Sequence, residues 1–175
     1  MTGPPAALRA LNEASAEDAL AELLDCCGSR AWARALVERR PFADLEALIA
    51  ASDEVWWALG PEDWLEAFAS HPRIGEREAG AGQAAAWSRA EQAGAADAPE
   101  ETMAALSEGN RRYEERFGHV FLIRAAGRSA SDMLSALTER MSNEPTTELR
   151  VAAAQQAEIT RLRLARLVDA AGGSA

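Results

Sequence analysis

Two short stretches of this chain carry residue types that could do chemistry: His-Pro-Arg-Ile-Gly-Glu at 71–76 and Ser-Arg-Ala-Glu-Gln at 88–92. His71 is one of only two histidines. Imidazole titrates near neutrality, so His71 is a candidate general acid or base. Pro72 disfavours the α conformation at His71 and fixes the backbone that leaves it. The plain alternative is a histidine at a helix end, favourably placed against the dipole. Glu91 is a candidate carboxylate partner for His71. Ser88-x-x-Glu91 is also the pattern of a capping box, which predicts a short helix opening at Ser88 and accounts for both residues without any ligand. The two roles compete for one side chain, and the cap leaves Gln92 unexplained.

Arg163 is the third candidate. It lies four residues after Ile159 and four before Leu167, on the apolar side of the last predicted helix. A guanidinium among core positions costs free energy unless it meets an anion. That anion is either an internal Asp or Glu or the carboxylate of a ligand. His119, directly after Gly118, reads as structural. Two histidines 48 positions apart with no matched carboxylate spacing make a poor metal signature, so no metal site is expected. The chain has neither a Gly-rich phosphate motif nor a Gly-x-Ser-x-Gly elbow.

These residues need a scaffold, and the composition points to helices. Ala dominates, with Leu, Glu and Arg behind it, while strand formers are scarce. The expected fold is all-α: a single-domain bundle of about eight to nine helices over residues 1–175, with a core from about 8 to 170 and short flexible tails. Ser15, Ser29 and Ser129 or Ser131 are candidate helix caps. Separate helices are predicted around Phe42–Ile49 and Val55–Trp57. Pro61 suits the first position of another, which must stop near Ser70. Pro99 opens a long helix that Gly118 closes. Val120–Ile123 reads as a buried extended segment or a helix start, and the last helix is expected from about Thr146 to Ala170. The tryptophans at 32, 56, 57, 64 and 87 read mostly as core or dimer surface.

Every basic residue is Arg, so chemistry built on a Schiff-base or P-loop lysine is excluded. The net charge of −10 repels nucleic acid and anionic membrane. It also repels an anionic substrate at long range, so a pocket for one must supply Arg locally. Cys26 and Cys27 are adjacent on a predicted helix and point about 100° apart, which argues against a disulfide and for core packing. No apolar run reaches the roughly 18 residues of a membrane span. Met-Thr-Gly-Pro-Pro does not read as a signal peptide, and the tail Gly-Gly-Ser-Ala carries no peroxisomal address. A cytoplasmic protein is expected.

Taken together, the 71–76 and 88–92 stretches with Asn-Arg-Arg-Tyr-Glu-Glu-Arg-Phe-Gly (110–118), Phe-Leu-Ile-Arg-Ala (121–125) and Glu-Ile-Thr-Arg-Leu-Arg-Leu (158–164) resemble 2-oxo-4-hydroxy-4-carboxy-5-ureidoimidazoline (OHCU) decarboxylase. Leu23–Arg30, Arg40-Pro41-Phe42 and 63–68 also match the family's scaffold, so the resemblance runs from about residue 10 to 168. It implies an all-helical enzyme that needs no metal or organic cofactor and is often a homodimer. Its substrate would be an anionic ureidoimidazoline of urate breakdown, decarboxylated to (S)-allantoin. His71 would be the acid/base, with Glu91 and Arg163 beside it in catalysis. Pro72, Ser88, Gln92, Phe121, Leu122, Ile123, Arg124 and Ala125 would line the substrate site. Many members of the family have Cys where this chain has Arg124, and a backbone contact there is favoured. The rival readings are a non-catalytic helical interaction domain on the same scaffold, and a hydrolase acting on the same ring system.

Overall fold

The computed structural model describes residues 3–76 and 80–169. Among the described residues the chain forms nine α-helices and no strand. They are α1 (Ala6–Glu13), α2 (Ala16–Cys26), α3 (Arg30–Glu38), α4 (Leu45–Ala58), α5 (Pro61–Ala69), α6 (Gln83–Glu91), α7 (Glu100–Phe117), α8 (Ala130–Arg140) and α9 (Pro145–Asp169). A 3-10 turn, Ala93–Ala95, follows α6. None of these helices is long and apolar enough to cross a membrane. The expected C-terminal tail, Gly-Gly-Ser-Ala, lies outside the described residues. Contacts group the described chain into two compact units, one running to Glu66 and resuming at Ala157, the other Ala67–Gln156.

In the first unit, side-chain oxygens open the helices. Ser15 accepts from the Asp18 amide and Ser29 from the Trp32 amide, each satisfying one of the N–H groups that a helix start leaves without a partner. Asp44 does the same for α4 through Ala47. The expected break between Ile49 and Val55 is absent: Leu45–Ala58 is one helix. Ser52, at the middle of that stretch, is buried and accepts a hydrogen bond from the Trp32 indole at 3.2 Å. It anchors the helix instead of interrupting it. Phe42 precedes α4 and pairs its backbone N–H and C=O with the Asn12 amide, each at 2.9 Å. The Arg40 guanidinium donates to the carbonyls of Leu11 and Ala14 at 2.7 and 2.8 Å and so closes α1.

Cys26 and Cys27 are free and buried. Burial pushes both thiols up, that of Cys27 to about 12, so both stay protonated near neutrality.

The second unit packs Leu106, Tyr113, Phe121, Ile123, Met133 and Leu137 into a common core. Pro99 precedes α7, and Gly118 ends it at φ +78°, a left-handed conformation that glycine adopts without steric cost. Ser129 and Asp132 form a reciprocal capping box on α8, which settles the choice of cap between Ser129 and Ser131. Residues 120–125 form neither helix nor strand, with Phe121, Leu122, Ile123 and Ala125 buried.

A buried segment outside helix and sheet must find hydrogen-bond partners elsewhere. Arg140, at the end of α8, supplies one: its guanidinium donates to the Leu122 carbonyl at 2.7 Å. The same guanidinium stacks over the Phe121 ring with 4.6 Å to the centroid and pairs with Glu148 at 2.6 Å. Glu148 is fully buried, receives the Tyr113 hydroxyl and also accepts from Asn143 at 2.9 Å. Burial, together with the bond to Glu148, pushes the Tyr113 hydroxyl well above its ordinary range, so it remains a donor.

Two outcomes follow from these interiors. Replacing Arg140 with Met should cost about 3–5 kcal/mol in a urea titration, because Glu148 is left buried without its counter-ion; a loss below about 1 kcal/mol would contradict this. In the native protein neither thiol should react with Ellman's reagent at neutral pH, and both should react once urea unfolds the chain.

Candidate functional site

The break at 70–72 is where the sequence predicts it. Helix α5 ends at Ala69, and the amides of Ser70 and His71 close its last turn onto Ala67 and Phe68 at 3.2 and 3.1 Å. The chain then runs irregularly through Pro72 to Glu76. Three interactions pin it. The Asn110 amide, buried on α7, donates to the Ile74 carbonyl at 2.9 Å. The Gln92 side chain accepts from the Gly75 amide at 2.9 Å. Arg73 grips Glu114 with two parallel bonds of 2.6 and 2.9 Å. Gly75 lies at φ +88°, and a Cβ there would come within 2.9 Å of the Met103 methyl, so this turn requires glycine.

The second stretch departs from expectation. Helix α6 starts at Gln83 with Gly82 before it, so Ser88 is not an N-cap and Glu91 is not the third residue of a helix. The alanines at 84–86 carry the helix further back than a capping-box reading of Ser88 allows. Ser88 instead lies in the last turn, and its carbonyl accepts from the Gln92 amide at 3.1 Å. Glu91 is the final helical residue, and both Ser88 and Glu91 are buried. A carboxylate at a helix C-terminus faces the negative end of the dipole, so this position does not help the helix.

Ser88 and Gln92, one helical turn apart, share a face. Together with Pro72, Gly75, Glu76 and Arg89 they line a cavity of about 510 Å³. Ala95, Ala96 and Met103 make its apolar part. The volume lies in the range of small-molecule sites. The structure therefore brings Pro72, Ser88 and Gln92 around one hollow, and Arg89, which the sequence reading passed over, stands with them. Arg89 reads as a surface residue of a helix, and nothing in its spacing marks it.

His71 is half-buried, and its Nε2 lies 2.7 Å from the side-chain oxygen of Gln156. Phe121, Leu122, Ile123 and Ala125 are buried in the same unit. Arg124 turns an exposed side chain outward. Its amide donates to Gln155 at 2.9 Å, and its carbonyl accepts from the Arg128 guanidinium at 3.1 Å. A ligand meeting the Arg124 backbone would have to use the remaining lone pair of that carbonyl. Arg163 belongs to the first unit. It is buried there and donates to the Asp25 carbonyl at 3.2 Å. Burial raises the Asp25 carboxyl, and the Arg163 charge partly offsets that rise. His119 packs edge-on against Tyr113 and tilted against Phe68 and Phe117, a structural aromatic cluster. Among the described residues there is no group of three or more His, Cys, Asp or Glu side chains suited to a metal ion.

Comparison with known proteins bears on what this arrangement does. A family model described as OHCU decarboxylase matches residues 12–165. The uric acid degradation bifunctional protein TTL of Arabidopsis thaliana is 39% identical over 146 residues, which is 81% of this chain but only 45% of that longer protein. The 2-oxo-4-hydroxy-4-carboxy-5-ureidoimidazoline decarboxylase of Amia calva is 33% identical over 142 residues, covering 78% of this chain and 79% of that protein. Among solved structures, an OHCU decarboxylase crystallised in the presence of (S)-allantoin is similar with a TM-score of 0.75 at 35% identity, over 85% of this chain and 97% of that one. An (S)-allantoin synthase shares the fold with a TM-score of 0.71 at 18% identity.

Proposed function

The chain belongs to the OHCU decarboxylase family, and from that premise we propose that it is a carboxy-lyase converting 2-oxo-4-hydroxy-4-carboxy-5-ureidoimidazoline to (S)-allantoin in urate degradation. The observation that carries the reading is the cavity between the His-Pro turn and the end of α6, with the buried carboxylate of Glu91 in the helical residue between Ser88 and Gln92. A helix cap does not account for that carboxylate.

The chemistry fits the residues. The substrate carries a carboxylate and a hydroxyl on one ring carbon, beside a C=N bond. When the bond to the carboxylate breaks and CO2 leaves, its electron pair forms a ring C=C bond and the C=N pair moves onto nitrogen, which takes up a proton. The hydroxyl then gives up its proton, its electrons form the new carbonyl, and the ureido-bearing carbon takes a proton. The imine is thus the electron sink. His71 takes the hydroxyl proton, and its donation to a single face of the ring sets the (S) configuration. Glu91 holds the ureido N–H groups. Ser88 and Gln92 hydrogen-bond the ring, with Pro72 and the 121–125 segment shaping the walls. Arg89 adds a local positive charge at the cavity, which a protein of net charge −10 needs if it is to admit an anion. The protein acts in the cytoplasm and as a homodimer in this reading, and the exposed Trp57 and Leu65 are apolar surface that such an interface would cover.

The test generates the unstable intermediate from urate in situ and follows the optical activity of the product by circular dichroism. Added protein should speed formation of single-enantiomer allantoin, the (S) form; product forming at the unassisted rate and as a racemate would overturn the assignment. Replacing His71 with Asn should lower turnover by about 10²–10⁴ while helix content stays unchanged. Near-normal turnover in that variant would remove His71 from the mechanism.

A further inference from the structure

Resting on the decarboxylase reading, we propose that Gln156 is the positioning residue for His71: it holds the neutral imidazole as the Nε2–H tautomer and thereby makes Nδ1 the nitrogen that takes and returns the proton. The Gln156 side chain is fully buried on α9, and its oxygen lies 2.7 Å from His71 Nε2. An amide oxygen only accepts hydrogen bonds, so Nε2 must be the donor in this pairing. In a neutral imidazole one nitrogen donates and the other accepts, and the bond made by one sets the role of its neighbour. A carboxylate at this place would favour the imidazolium. An amide orients the ring without adding charge, and so leaves a neutral base.

The position of Gln156 on the helix adds a second argument. Its neighbour Gln155 accepts from the Arg124 amide at 2.9 Å. Adjacent residues of α9 thus reach the two non-helical segments that carry the candidate site, one through a backbone group and the other through the imidazole itself. Neither glutamine is needed to satisfy α9, whose own backbone bonds are internal. Their amides serve the segments they touch.

The experiment is a long-range proton–nitrogen correlation spectrum of the full-length, nitrogen-15-labelled protein, which reads the protonated ring nitrogen directly. His71 should show its proton on Nε2 in the neutral form. In Gln156→Leu, of similar volume, a share of the Nδ1–H tautomer should appear, and kcat should fall roughly tenfold or more while KM stays within about threefold, as when an oriented histidine loses its fixing partner. A proton on Nδ1 in the wild-type protein would overturn the proposal whether or not the variant folds, since it requires the opposite amide orientation. An unchanged tautomer and unchanged kcat in a folded Gln156→Leu would overturn it as well. Wild-type protein with the Nε2–H tautomer but no turnover of the ureidoimidazoline would overturn the catalytic part of the proposal through the failure of the decarboxylase reading, and leave the orientation of the ring standing.

Discussion

Peptide groups that leave a helix and stay inside a protein must find partners, because water is not there to supply them. In Ala67–Gln156 that constraint falls on two segments, the turn after His71 and the irregular stretch 120–125. Side chains on the helices, or directly after one, meet it. Asn110 takes the Ile74 carbonyl, Gln92 the Gly75 amide, Arg140 the Leu122 carbonyl and Gln155 the Arg124 amide. Each bond runs from a helix, or from the residue that ends one, to an irregular segment. The helices thus act as a frame that fixes backbone which has no regular hydrogen-bonding pattern of its own. The residues with chemical capability sit on that backbone or beside it.

Arg140 shows how much is invested in this frame. Its guanidinium is nearly buried and bonded simultaneously to a carboxylate, a carbonyl and, at 3.4 Å, the Tyr113 hydroxyl, with an aromatic ring beneath it. Burying an ion pair gives little net stability compared with apolar packing. What the pair does give is direction: Tyr113 from α7, Arg140 from α8 and Glu148 from α9 meet at one point, and the Leu122 carbonyl is held there. Rigid support of this kind is what keeps a small cavity in shape for a particular ligand.

Much of the scaffold was legible in the residues alone. Ser15 and Ser29 cap helices as their spacing predicts, Ser129 is one of the two caps the sequence offers for α8, Pro61 and Pro72 bound α5, and Gly118 closes α7. These signals are local, set by one side chain and the next turn. The misreadings are local signals overruled by context. Ser88 and Glu91 imitate a capping box, but good helix formers upstream carry the helix through them. Ser52-Asp53 imitates a break, yet Ser52 is tied to Trp32, twenty residues away. Arg140, Glu148 and Gln156 left no mark in the sequence because charged and amide side chains ordinarily face solvent, and only the packing of distant helices turns them inward. His71 stood out by residue type, and the family resemblance assigned Pro72, Ser88 and Gln92 to the site. Arg89 could not, since its role at the cavity follows from where the α6 turn happens to point it.

The central claim is that the turn after His71 and the last turn of α6 hold the substrate between them. The most direct measurement is a crystal structure of this protein soaked with (S)-allantoin. The account predicts the product in the cavity lined by Pro72, Ser88 and Gln92, within hydrogen-bonding reach of the latter two side chains. Product bound elsewhere on the chain, with that cavity filled only by water, would contradict it.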